Sequence, residues 1–123
     1  MNWQKLLVTI GATFFLVPAG AAQTDMLREV QTAFELEVGG IALDSPYREK
    51  VVSKTENLMR QNRAKFVSSQ FFLLVDRNHD EQKAFLAFYD ATKGEVTLIG
   101  GDRASTGNPA RRGYFETPTG IFE

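Results

Sequence analysis

Cysteine is absent from the 123 residues. That excludes disulfides, thiolate zinc sites, a lipoprotein-type lipid anchor and any cysteine nucleophile drawn from this chain. Histidine is nearly absent: His79 stands alone, so any Ser–His chemistry contained here must use it. There is no excess of either charge. With a net charge of -1 the chain carries no basic field that would draw it to nucleic acid. No apolar run reaches the roughly 20 residues that a membrane span needs. Phosphate-loop, dinucleotide-fingerprint, Gly-x-Ser-x-Gly and Ser-x-x-Lys patterns are also missing, which removes the usual signatures of nucleotide binding and serine acyl transfer.

What is present begins with an export pattern. Lys5 precedes an uncharged run, Leu6 to Val17, followed by Pro18 and Ala19-Gly20-Ala21. A basic start, a short apolar centre and an Ala-x-Ala site describe a secretory signal peptide over residues 1–21, cleaved after Ala21. An uncleaved anchor or a buried helix is the alternative. Cleavage leaves a mature chain one charge more negative, with no stable membrane span.

A helical segment is expected over residues 22–66. Leu27, Val30, Phe34 and Val38 recur at three- and four-residue spacings, with Thr24 or Asp25 as the cap and Gly39-Gly40 as the stop. Ser45 caps a second helix with Pro46 in its first turn. Tyr47, Val51, Thr55 and Leu58, with Met59 beside them, form its apolar stripe. Arg48, Glu49, Lys50, Lys54, Glu56, Arg60 and Arg63 form its solvated face.

From residue 67 the pattern is that of strands: Phe71 to Val75, Ala84 to Asp90 and Val96 to Gly100, with a fourth over Arg103 to Thr106. The second alternates Phe85, Ala87 and Tyr89 with Leu86 and Phe88, apolar on both faces, as in a strand covered from both sides. Asp90 to Gly94 makes a hairpin turn.

Among candidate sites, Asp76, Asn78 and Asp80 occupy the first, third and fifth positions of a calcium loop. Glu81 stands where that loop requires Gly, and Ala87 where it requires Glu, so a polar hairpin loop is the better reading and no metal is assigned. His79 lies in the same loop, read as a surface residue. Arg103, Arg111 and Arg112 gather positive charge that is read as solvated.

The closing stretch is more specific. Ser105-Thr106-Gly107 is followed by a loop, Asn108 to Glu116, and then by Thr117-Pro118-Thr119-Gly120-Ile121-Phe122. With the paired strands before it, the span from Gln70 to Glu123 resembles the first half of the L,D-transpeptidase catalytic domain, the YkuD-like family. The resemblance implies an exported bacterial enzyme that acts on peptidoglycan stem peptides without a cofactor. Its cysteine attacks the stem peptide, and the acyl group passes through a thioester to an amine, with a histidine as base. The family places that histidine and Ser/Thr-x-Gly-Cys-x-Arg after the Thr-Pro-x-Gly strand, and His79 lies before it. No catalytic residue is therefore carried over. Thr117, Thr119 and Gly120 are expected to wall the substrate cleft.

The expected fold class is α+β, a helical segment followed by the first strands of an incomplete, mostly β, YkuD-like sandwich over residues 67–123. That part is expected to be truncated ahead of the catalytic motif and inactive alone. Two further readings stand beside it: a non-catalytic exported binding or interaction module of the cell envelope, and a self-contained hydrolase using His79.

Overall fold

The computed structural model describes residues 6–9, 21–62, 65–107, 110–113 and 120–122. The elements follow in the order β1 (Leu6–Thr9), α1 (Ala21–Glu37), α2 (Ser45–Gln61), β2 (Gln70–Asp76), β3 (Lys83–Asp90), β4 (Glu95–Arg103) and β5 (Gly120–Phe122). The class is α+β. One sheet runs β4-β3-β2-β1-β5, antiparallel throughout except for the parallel β1–β5 pair.

The period-2 pattern decides which side of the sheet each residue serves. Phe72, Leu74, Phe85, Ala87, Tyr89, Val96 and Leu98 form a buried face, and Tyr47, Val51 and Met59 of α2 share its core. Phe66 joins it with its ring edge-on to Tyr89, centroids 6.0 Å apart. The helical and strand segments thus share one hydrophobic core. Thr55, in the same helical stripe, is fully buried and satisfies its hydroxyl by donating to the Val51 carbonyl at 2.7 Å.

The opposite face carries Phe71, Leu73, Leu86 and Phe88. Phe88 is 1% exposed yet lies outside the α2-side core, and its ring meets that of Phe71 at 5.0 Å. Helix α1 packs on this side, over β4. The ring of Phe34 fills the space before Gly100, where an added Cβ would lie 2.2 Å from Phe34 Cε1. Glycine is required there because a ring stands in place of a side chain. At the other end of α1, Gln23 Nε2 donates to Asp90 Oδ2 at 3.0 Å. Toward β2 on this face, Leu73 is 50% exposed.

Edges of sheets present unpaired backbone groups, and β4 has its outer edge satisfied by the helical half. Arg48 donates to the Leu98 carbonyl at 2.8 Å, Glu56 accepts from the Val96 N–H at 3.0 Å, and Ile41 N–H donates to the Gly101 carbonyl at 2.9 Å. Two residues expected on the solvated face of α2 therefore close a sheet edge instead.

Other differences are local. α1 begins at Ala21, so Thr24 and Asp25 lie inside it and do not cap it, and Val38 falls just past its end and is half-exposed. Asp44, not Ser45, caps α2, accepting from Tyr47 N–H at 3.3 Å. There is no separate strand over Arg103 to Thr106: β4 continues through Gly100-Gly101 to Arg103, past a bulge opposite Leu86 and Ala87, and residues 104–107 have no regular structure. Within the expected leader, Leu6–Thr9 is a strand paired to β2 and β5, so this part is not helical.

Candidate functional site

The residues with chemical potential gather where β2 leaves the sheet and β3 enters it. The connecting loop is built by its own side chains. Asp76 Oδ1 accepts from Asn78 N–H at 3.0 Å, and Asn78 Oδ1 accepts from Asp80 N–H at 3.1 Å. The Asn78 carbonyl accepts from the N–H groups of Glu81 and Gln82, both at 2.8 Å. Asp and Asn recur at alternate positions here because their short side chains bond backbone two residues on. That accounts for the calcium-loop likeness, and no group of three or more His, Asp and Glu among the described residues is arranged to hold a metal. His79 is exposed in this loop, and its carbonyl accepts from Gln82 Nε2 at 3.1 Å.

Gln82 joins the loop to the Ser-Thr-Gly segment. Its carbonyl accepts from Ala104 N–H at 2.8 Å, and its Oε1 lies 3.4 Å from Thr106 Oγ1 and 3.5 Å from Thr106 N, both long hydrogen bonds. Its φ of 44° is the one positive value at a non-glycine residue among those described. Thr106 is 1% exposed while Ser105 beside it is exposed. The middle residue of the motif thus docks the segment onto the β2–β3 loop.

Beneath the loop lies a buried polar group that sequence reasoning missed. Asp76, 4% exposed, points to the core side of β2, in register with Phe72 and Leu74. Its Oδ2 accepts a 2.8 Å hydrogen bond from Tyr47 Oη of α2. Lys83 Nζ sits 4.5 Å from the centre of the Tyr47 ring and pairs with Glu81. Burial raises the Tyr47 phenol well above its ordinary range, and the bond to Asp76 and the nearby charges of Asp76, Glu81 and Asp44 add to the effect. A phenol held neutral in this way is a clasp between helix and sheet, not a proton carrier near neutral pH. The sequence does carry a signal for it: a Tyr in an otherwise apolar stripe needs a partner for its hydroxyl, and an Asp in phase with Phe72 and Leu74 faces inward.

At the far side of the sheet, Gly120 opens β5 with a φ of 144°, in the region that glycine alone occupies without strain, and pairs with Leu7. Thr117 and Thr119, the other expected cleft-wall residues, lie outside the described residues. The described part of the segment puts Gly120–Phe122 in the same sheet as β2 to β4, two strands from β2. The structure thus ties Ser105-Thr106-Gly107 to the β2–β3 loop and places Gly120 at the opposite sheet margin. Arg103 ends β4 exposed, and Arg111 and Arg112 are exposed in a turn.

At the β3–β4 turn, Asp90 Oδ1 accepts from the N–H groups of Thr92 and Lys93 at 2.9 and 3.2 Å. Burial works to raise its carboxyl. The hydrogen bonds from Gln23, Lys93 and Thr92, with the charge of Lys93, outweigh that and hold it below the usual carboxylate range. Among the described residues no helix is long and apolar enough to cross a membrane. No family model matches the chain, and neither a curated protein nor a solved structure matches it.

Proposed function

We propose that this chain supplies the cleft wall of an exported, L,D-transpeptidase-like domain that acts on peptidoglycan stem peptides in the bacterial cell envelope. The YkuD-like sandwich belongs to the same proposal. The observation that carries it is the order of parts along the chain after the leader. An antiparallel meander, β2 to β4, is followed by Ser105-Thr106-Gly107 docked through a buried Thr106 and then by the Gly-Ile-Phe strand Gly120–Phe122.

The chemistry of that reading is acyl transfer. A cysteine thiolate attacks the stem-peptide carbonyl, the amine leaves as the thioester forms, and an acceptor amine then displaces the thiolate. These 123 residues contain no cysteine, so the nucleophile comes from elsewhere, and Thr117, Thr119 and Gly120 line the path of the stem peptide.

Two measurements test this together: sequencing the DNA beyond the Glu123 codon, and co-sedimentation of the chain with purified sacculi. The proposal expects a coding region for His and Ser/Thr-x-Gly-Cys-x-Arg, in frame or after a frameshift, and binding that free stem peptide competes away. Unrelated downstream DNA together with no binding contradicts it. Unrelated DNA with binding retained favours the alternative, a non-catalytic interaction module of the envelope.

A further inference from the structure

The residues read as an export leader are built into the fold at two places. Leu6–Thr9 lies between β2 and β5, with Leu6 opposite Asp76 and Thr9 opposite both Leu73 and Phe122. The Ala21–Ala22 peptide bond, where the Ala-x-Ala pattern sets cleavage, is the first of α1, and Gln23 just beyond it is tied to Asp90 at 3.0 Å.

Both states oppose processing. A protease that removes a leader must draw the scissile bond into extended conformation, and the first turn of a helix is not extended. Fraying of that turn is cheap, but it does not release Leu6–Thr9, whose backbone is held on both sides by strands. Attack on a folded protein therefore follows the population of an opened form.

We propose that the folded chain withholds its own processing site. Water adds to the Ala21 carbonyl and the bond to Ala22 breaks, leaving a carboxylate on Ala21 and an amino group on Ala22. That reaction proceeds only from chains in which β1 has left the sheet and the start of α1 has unwound. Folding and export then compete for the same residues, and export takes the chain before β2 finds β1. Removal of the leader uncovers the outer edge of β2 and takes from β5 the strand it pairs with here. The inference rests on the leader reading of residues 1–21, and it is independent of the cell-wall chemistry proposed above.

The test uses the full chain and purified leader peptidase, with cleavage followed by mass spectrometry for a product beginning at Ala22. Leu74→Asp puts a charge at a fully buried core position and serves as the opened form. Val8→Pro removes a donor from β1, and Gln23→Ala releases the tie to Asp90. Near-UV circular dichroism reports which variants keep the native core. The expected result is that Leu74→Asp is processed faster than the native chain by on the order of tenfold or more. Val8→Pro should fall between them, and Gln23→Ala should gain least. Equal rates for the native chain and Leu74→Asp would overturn the inference while leaving the leader intact. Cleavage of neither would overturn it through its premise, because residues 1–21 would then not be a processed leader.

Discussion

Tyr47 and Asp76 stand 29 residues apart in sequence and 2.8 Å apart in the fold, and both are buried. Taking the hydroxyl away leaves a buried carboxylate oxygen without its donor, so Tyr47→Phe should lower stability by about 1–3 kcal/mol in urea titration. The pH dependence has a definite sign. Because the folded pKa of Tyr47 is raised above the unfolded value of about 10, the stability it supplies is complete below that pH and is lost as pH rises beyond it. Unfolding free energy measured from neutral pH upward should decline more steeply above about pH 10 in the native chain than in Tyr47→Phe. Parallel curves for the two would show that the hydroxyl is not buried against Asp76. Spacing marks Tyr47 and Asp76 as inward-facing but does not pair them. Thr106 and Gln82 meet across 24 residues for the same reason, namely that a sheet brings loops together by register and not by proximity in sequence.

At the scale of elements, much was legible because periodicity is set by geometry. Of the α2 stripe, Tyr47, Val51 and Thr55 are buried as their spacing requires, while Met59 is fully buried and Leu58 only partly so, and β3 is covered on both faces as its double alternation implies. Boundaries were less legible where two signals compete. Asp44 and Ser45 are both good caps, and the acceptor that reaches Tyr47 N–H decides between them. Gly100-Gly101 reads as a strand end, yet pairing with Leu86 and Phe85 carries β4 past it. The reason for glycine lies in α1, whose Phe34 ring needs the space. Gly100→Ala should therefore undock α1 at a cost of about 1–3 kcal/mol, measured by urea unfolding. Phe34→Leu in the same chain should recover part of that loss. Additive losses in the double-mutant cycle would mean that the two residues do not share the contact.

For the molecule as a whole, one core joins the helical half to the sheet, and the two sides of the β2–β4 meander are managed differently. The β4 edge is closed by Arg48, Glu56 and Ile41, which come from helix and loop. The β2 edge is closed by Leu6–Thr9, a stretch whose composition suits an export leader equally well, since a short uncharged run satisfies either description. That ambiguity is why β1 was not legible. The candidate cleft was legible only as motifs, because Ser-Thr-Gly and Thr-Pro-x-Gly name turns and do not reveal what lies opposite them.

The most direct measurement of the cell-wall reading is a titration of the isotope-labelled full chain with a peptidoglycan stem tetrapeptide, followed by amide chemical shifts. Saturable shifts are expected at Gly107 and across Thr117, Thr119 and Gly120, with the β3–β4 turn around Thr92 unmoved. An absence of saturable shifts, or shifts confined to residues far from those two motifs, would contradict it.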